Sequence, residues 1–170
     1  MIYTIGHSTR PPEEFLNILR AYSIETVADI RTVPRSRKNP QYDQESFKHL
    51  LVQHNFEYVH LSGLGGLRRA RKDSINTAWE NASFRGYADY MQTPEFTSAL
   101  EELIAIAAAK RTVIMCAEAV PWRCHRSLVA DALLVRGIDV EDILSATNAR
   151  PHKLTPWASV EGLQITYPKP

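Results

Sequence analysis

The sequence predicts an α/β fold: a single three-layer domain spanning 1–170, with a mainly parallel, Rossmann-like sheet flanked by helices. Three observations predict it. Apolar runs of strand length alternate with amphipathic stretches of helical length. Both cysteines of the chain flank one loop, Cys116 to Arg126, which joins a strand-like run to a helix-like one. Polar, chemically active residues follow the predicted strands, and a parallel sheet gathers such residues at the carboxyl edge of its strands.

Ile2 to Ile5 reads as a short buried strand, with Gly6-His7-Ser8-Thr9-Arg10 as the turn at its end. Pro11-Pro12 opens a helix whose first turn carries Glu13 and Glu14, complementing the dipole, and whose apolar face is Phe15, Leu16, Ile18 and Leu19. Glu25 to Ile30 is the next strand. It runs into a proline-punctuated basic loop, 31–38 and onward to Pro40, that cannot be helix interior. Asp43 is the expected N-cap of a helix through Phe47, Leu50 and Leu51. Phe56 to Leu61 alternates as a strand, and Ser62-Gly63-Leu64-Gly65-Gly66 turns the chain sharply.

A long polar loop is expected to about Ser83, then a helix from Tyr87 to Met91. Thr93 caps the next helix, with Pro94 at its first position, and it extends to about Ala109. Thr112 to Met115 is a buried strand, Ser127 to Leu134 a helix stopped by Gly137, and Asp139 to Leu144 a further strand. The remainder, 146–170, reads as an irregular tail packed on the domain, with a last edge strand at Leu163 to Tyr167.

With 170 residues, 44% hydrophobic and 23% charged, the chain has enough apolar content for one full core. A net charge of +1 gives no global pull toward nucleic acid or anionic membrane, so such affinity must be local. No run approaches the ~20 apolar residues of a membrane span, and the N-terminus lacks the basic start of a signal peptide. A cytoplasmic location is the expectation. Two cysteines make no secreted disulfide framework and are expected to stay thiols, bind metal or react.

The Cys116–Arg126 loop brings a thiol, a carboxylate, an imidazole and two guanidiniums to a helix N-terminus, which favours an anion or a thiolate. Cysteine phosphatases and sulfur transferases place a cysteine at such a strand end. Here, however, Arg123 stands one position too far along for phosphatase spacing, and the intervening glycines are absent. The candidate catalytic residues are Cys116 as nucleophile, with Glu118, His125 and His7 in proton transfer. The candidate ligand-binding residues are Arg31, Ser36, Gly65, Gly66, Cys124 and Arg126, because a guanidinium fork suits phosphate or carboxylate and glycines permit close backbone approach. Against these stands an inert reading, with Cys116 a small core residue and Cys124 at a helix cap.

Cys116, Glu118, Cys124 and His125 are also ligand types that zinc accepts, although their spacing matches no standard site and no cofactor is required. Basic loops 31–38 and 68–72, with Trp79, Phe84 and Tyr87, supply an alternative: a nucleic-acid-binding or processing module. A buried Asp29 is expected to be structural, fixing backbone or pairing with an arginine. Three readings therefore compete. They are an enzyme, a cysteine-dependent transferase or hydrolase, on a small anionic or phosphorylated ligand; the nucleic-acid module; and a metal-dependent hydrolase.

Taken together, Thr4-Ile5-Gly6-His7-Ser8, Asp29-Ile30-Arg31 with Pro34-Arg35-Ser36, Leu64-Gly65-Gly66, Phe84 to Met91, Met115-Cys116-Ala117-Glu118, Cys124-His125-Arg126 and Pro151 to Thr155 resemble the domain-of-unknown-function family 488. The resemblance covers nearly the whole chain. It implies an α/β fold and names no substrate.

Overall fold

A computed structural model describes residues 1–170 throughout. Six strands form one sheet in the order β3-β2-β4-β1-β5-β6: β1 Ile2–Gly6, β2 Thr26–Asp29, β3 Glu57–His60, β4 Thr112–Cys116, β5 Val140–Ser145 and β6 Asn148–Pro151. The first five are parallel, and β6 alone runs antiparallel, against β5. β1, β2 and β4 are buried along their whole length, as strands covered on both faces must be, whereas β3 at the sheet edge is partly open.

Helices cover both faces. α1 (Pro12–Ala21) and α2 (Gln44–Gln53) lie on one, where Phe15, Leu19, Phe47 and Leu51 pack against Ile5, Val27, Val113 and Met115. α3 (Ala82–Tyr90), α4 (Pro94–Ala109) and α5 (Arg126–Val135) lie on the other, where Tyr87, Leu100, Leu128 and Leu133 meet Ala28, Ile30 and Ile114. Each such fully buried side chain is worth roughly 1.5–3 kcal/mol of transfer free energy. None of the helices is long and apolar enough to cross a membrane.

The local expectations hold for most elements. Thr93 caps α4 through its hydroxyl, which accepts the Phe96 N–H at 3.3 Å, and Gly137 follows α5 with φ of +78°. Three details differ. α3 begins at Ala82 rather than Tyr87, because the Asn81 side chain accepts N–H bonds from Ser83 (2.8 Å) and Phe84 (3.3 Å) and nucleates the helix early. Asp43 occupies the N-cap position of α2 without capping it; its carboxylate accepts the Ser36 N–H at 2.8 Å and ties down the basic loop. The tail carries more structure than expected: the last strand foreseen at Leu163 to Tyr167 is present at Gln164–Thr166, paired within a hairpin and not at the edge of the main sheet. The tail supplies β6 and then a separate hairpin of β7 (Ser159–Glu161) and β8 (Gln164–Thr166), turned at Gly162 with φ of +62°.

The connections from β1 and β4, which are neighbours, leave on opposite faces of the sheet: β1 leads into α1 and β4 toward α5. Such a divergence opens a crevice beyond the strand ends. Gly6 and Cys116 are paired in register at that point.

Candidate functional site

Four strand-end loops meet above the crevice. Arg31, Thr32, Arg35, Gly66, Cys116, Glu118, Arg123, Cys124 and His125 line one cavity of about 440 Å³. His7, Ser36, Arg37 and Lys38 line a second of about 290 Å³, and Ala117 and Glu118 border both. The sequence-predicted residues are thus brought to one sheet edge, but not all of them face the same space.

Cys116 forms the floor of the larger cavity and is 2% exposed. Arg126 Nη1 donates to its sulfur at 2.7 Å and to the Glu118 carbonyl at 2.6 Å. Burial opposes ionisation of the Cys116 thiol, but a hydrogen bond from Cys124 and the Arg126 charge outweigh it, bringing its pKa from 9.0 down to about 7. Cys124 responds in the opposite sense. Burial and the neighbouring Cys116 sulfur raise its pKa, so Cys124 remains the protonated thiol of the pair.

Arg126 is completely buried and its guanidinium is fully engaged within the protein. Besides Cys116 and Glu118, it donates to the Ala119 carbonyl at 3.3 Å and, through Nε, to the Thr4 hydroxyl at 3.2 Å. It therefore shapes the loop and charges the sulfur's surroundings from below and does not line the cavity, in contrast to the ligand contact expected from the sequence. The Thr4 hydroxyl donates in turn to Asp142, whose other oxygen lies 3.4 Å from His152 Nδ1, and His152 Nε2 lies 2.8 Å from Asp131. A buried polar chain thus runs from the Cys116 sulfur to the C-terminal tail.

Arg31 is held by Asp29, which receives Nε at 2.9 Å and Nη2 at 2.7 Å; Tyr58 OH adds a third bond to the same carboxylate at 2.6 Å. Asp29 is structural in both expected ways, since it also accepts the Arg31 backbone N–H at 3.1 Å. This arrangement leaves Arg31 Nη1 toward His7 Nε2, at 3.4 Å, and the cavity. Arg35 and Arg123 are exposed on the cavity wall, neither in a salt bridge, with Glu118 the only acidic side chain lining it. The cavity is therefore strongly cationic above a thiol that ionises near neutrality.

The two histidines are fixed as neutral groups. His125 Nε2 faces the Ile30 carbonyl at 2.9 Å and Nδ1 faces the Cys124 sulfur at 3.5 Å; burial above all pulls its pKa down to about 4. His7 stacks on Tyr42 at 4.2 Å, directs Nδ1 to the Ser8 carbonyl at 2.8 Å, and is likewise pulled to about 4, chiefly by burial and also by Arg31. Both rings therefore resist protonation at neutral pH. Glu118 is the exposed carboxylate at the mouth. Gly65 and Gly66 are close-approach positions within the protein: a Cβ on Gly66 would lie 2.5 Å from the His125 ring, and one on Gly65 2.5 Å from the Thr32 hydroxyl. Ser36 is occupied as an acceptor for the Asn39 N–H, at 3.0 Å.

The zinc ligand set does not assemble. No group of three His, Cys, Asp or Glu side chains converges in ligating geometry, because His125 is turned to Ile30 and Glu118 to solvent. The basic loop 68–72 is also partly committed: Arg68 lies 3.7 Å over the Tyr90 ring and bonds to the Gly65 and Ser62 carbonyls, while Arg71 pairs with Asp73. Tyr87 is buried and Trp79 stacks on Phe84, so this aromatic group belongs to the fold's own packing.

Two features of the site escaped the sequence reading. Asn81 and Ser83, at the start of α3 beside Phe84, line the cavity with Cys116; the signal was Asn81 two residues ahead of Ser83, a helix-capping pattern. The Thr4–Asp142–His152 chain has no local signal, since its members come from β1, β5 and the tail. Among known proteins, the family model described as "Domain of unknown function DUF488" matches residues 11–133. No curated protein and no solved structure matches the chain.

Proposed function

The chain belongs to the DUF488 family, and for it we propose an enzymatic role: a cysteine-dependent transferase or hydrolase acting on a small anionic ligand in the cationic cavity. One observation carries the reading. Cys116 accepts from Arg126 Nη1 at 2.7 Å, a charge that draws its thiol toward ionisation, at the closed end of a cavity whose wall holds Arg31, Arg35 and Arg123.

The ligand's charge is held by Arg31 Nη1, Arg35 and Arg123, with the positive N-terminal end of α3 facing it. This places the electrophilic atom over the Cys116 sulfur. The thiolate donates its electron pair to that atom, and the departing group leaves with the bonding pair and takes a proton from water at the cavity mouth, beside Glu118. His7 and His125 position rather than relay protons, being held neutral with their ring nitrogens engaged. A second nucleophile then releases the group from Cys116.

The test is alkylation of the purified full chain with iodoacetate and with uncharged iodoacetamide, read by peptide mass spectrometry. The ratio of the two rates at Cys116, compared with that of a free cysteine, should favour the anion by about tenfold, and an Arg35→Ala, Arg123→Ala variant should lose that preference. A Cys116 that reacts only on unfolding, or that shows no preference for the anion, overturns the reading.

A further inference from the structure

Two cysteine sulfurs are gathered on one residue beneath the cavity. Arg126 Nη1 holds Cys116 at 2.7 Å, and the Arg126 backbone N–H lies 3.5 Å from Cys124. Both sulfurs line the same cavity, and both cysteines are free thiols. Cys124 keeps its proton, with its sulfur 3.5 Å from the unprotonated Nδ1 of His125, while Arg126 draws negative charge onto Cys116. This is the polarity that lets one sulfur attack an incoming electrophile while the other waits as a protonated thiol beside the adduct.

The kind of electrophile follows from what each part can do. Arg126 is saturated by Cys116, Glu118, Ala119 and Thr4, so it has no fork left to grip a phosphoryl group at the reacting centre. The free cations stand higher, on the cavity wall. A matching ligand carries its charge about one bond away from the atom that meets Cys116. An adjacent thiol also does nothing useful for a phosphoryl or acyl adduct, which must leave to water or an alcohol. It is directly competent when the adduct is a sulfenic acid or a sulfur–sulfur bond, and the cationic cavity wall, which calls for an anionic donor, selects the second, opened by thiol–disulfide exchange.

We infer that the substrate class is an anionic sulfane-sulfur donor of the thiosulfate type, that Cys116 accepts its outer sulfur, and that Cys124 is the resolving thiol. The inference rests on the reading of Cys116 as a nucleophile. In the first step the Cys116 thiolate attacks the sulfane sulfur, a sulfur–sulfur bond forms, and the donor's own sulfur–sulfur bond breaks with its electron pair leaving on sulfite. In the second, the Cys124 sulfur attacks the Cys116 sulfur of the persulfide, expelling hydrosulfide, while its proton passes to the expelled sulfur or to solvent. The sum is one thiosulfate and two thiols giving sulfite, hydrogen sulfide and the Cys116–Cys124 disulfide: the two thiols are oxidised by two electrons and the sulfane sulfur is reduced to sulfide. A dithiol reductant reopens the disulfide for the next turnover.

The experiment treats the reduced, desalted full chain with thiosulfate in the absence of reductant and follows intact mass together with released sulfite and sulfide. The wild type should lose two hydrogens, yield one sulfite and one sulfide per chain, and give a Cys116–Cys124 cross-linked peptide. Cys124→Ser should stop with one extra sulfur on Cys116 and release sulfite alone, and Cys116→Ser should do neither. The wild-type result stands without the variants if either fails to fold. An unmodified wild type whose Cys116 is still alkylated preferentially by iodoacetate overturns this inference while sparing the underlying enzymatic reading. If Cys116 is inert to both reagents, the two fall together.

Discussion

His152 closes the buried chain that begins at Cys116, and replacing it should loosen the tail in a pH-dependent way. Its ring lies between two carboxylates: Asp131, which is fully buried and also accepts from Thr155 N–H (3.1 Å) and Tyr167 OH (2.8 Å), and Asp142, which also accepts from Thr4. Burial alone would lower the histidine's pKa, but hydrogen bonds and charge attraction from the two carboxylates raise it from 6.5 to about 9. The folded protein therefore binds the proton more tightly than the unfolded chain. The associated stability is fully present below the unfolded value of 6.5 and disappears as the pH rises through about 9. A shift of that size corresponds to about 3 kcal/mol, which solvent screening on the open flank of the ring reduces to about 2 kcal/mol. In urea denaturation, His152→Gln should lose about 2 kcal/mol relative to wild type near pH 6, with the difference shrinking steadily as the pH approaches 9. A difference that is constant with pH, or that grows on the alkaline side, would refute the charged clamp.

Three further outcomes follow from single contacts. Gly6→Ala would place its Cβ 1.5 Å from the Glu118 carbonyl oxygen, a backbone atom that cannot rotate away, so a loss of about 3 kcal/mol or more is expected in denaturant melts. Asp29→Asn leaves the buried Arg31 without its counter-charge; a cost of roughly 3–5 kcal/mol should appear in the same assay, and a near-neutral effect would mean that the pair is not desolvated. Asn81→Ala removes the α3 cap and should cost about 1 kcal/mol, with amide exchange accelerated at Ser83 and Phe84 and unchanged in α4.

The alternation of strand and helix, and the convergence of loops after β1 to β4, were legible because periodicity and strand-end placement are local properties. The partners of each loop residue were not. Arg126 reads in sequence as a free guanidinium beside a helix, and only the fold brings Thr4 and the Ala119 carbonyl onto it. In 146–170 only the last strand, β8, was legible; β6 takes its partner from β5 and β7 is three residues long, so neither leaves clear periodicity. His7 and His125 invited catalytic roles by type and position, but desolvation, which depends on neighbours far along the chain, holds both neutral.

The central claim is that Cys116 is a thiolate at neutral pH while Cys124 is not. The direct measurement is the pH dependence of alkylation at each cysteine of the folded chain, quantified peptide by peptide. Cys116 should titrate with a midpoint at about 7, and Cys124 should remain unreactive well beyond its ordinary range. Equal midpoints near ~8.5 for both, or no labelling of Cys116 before the protein unfolds, would contradict it.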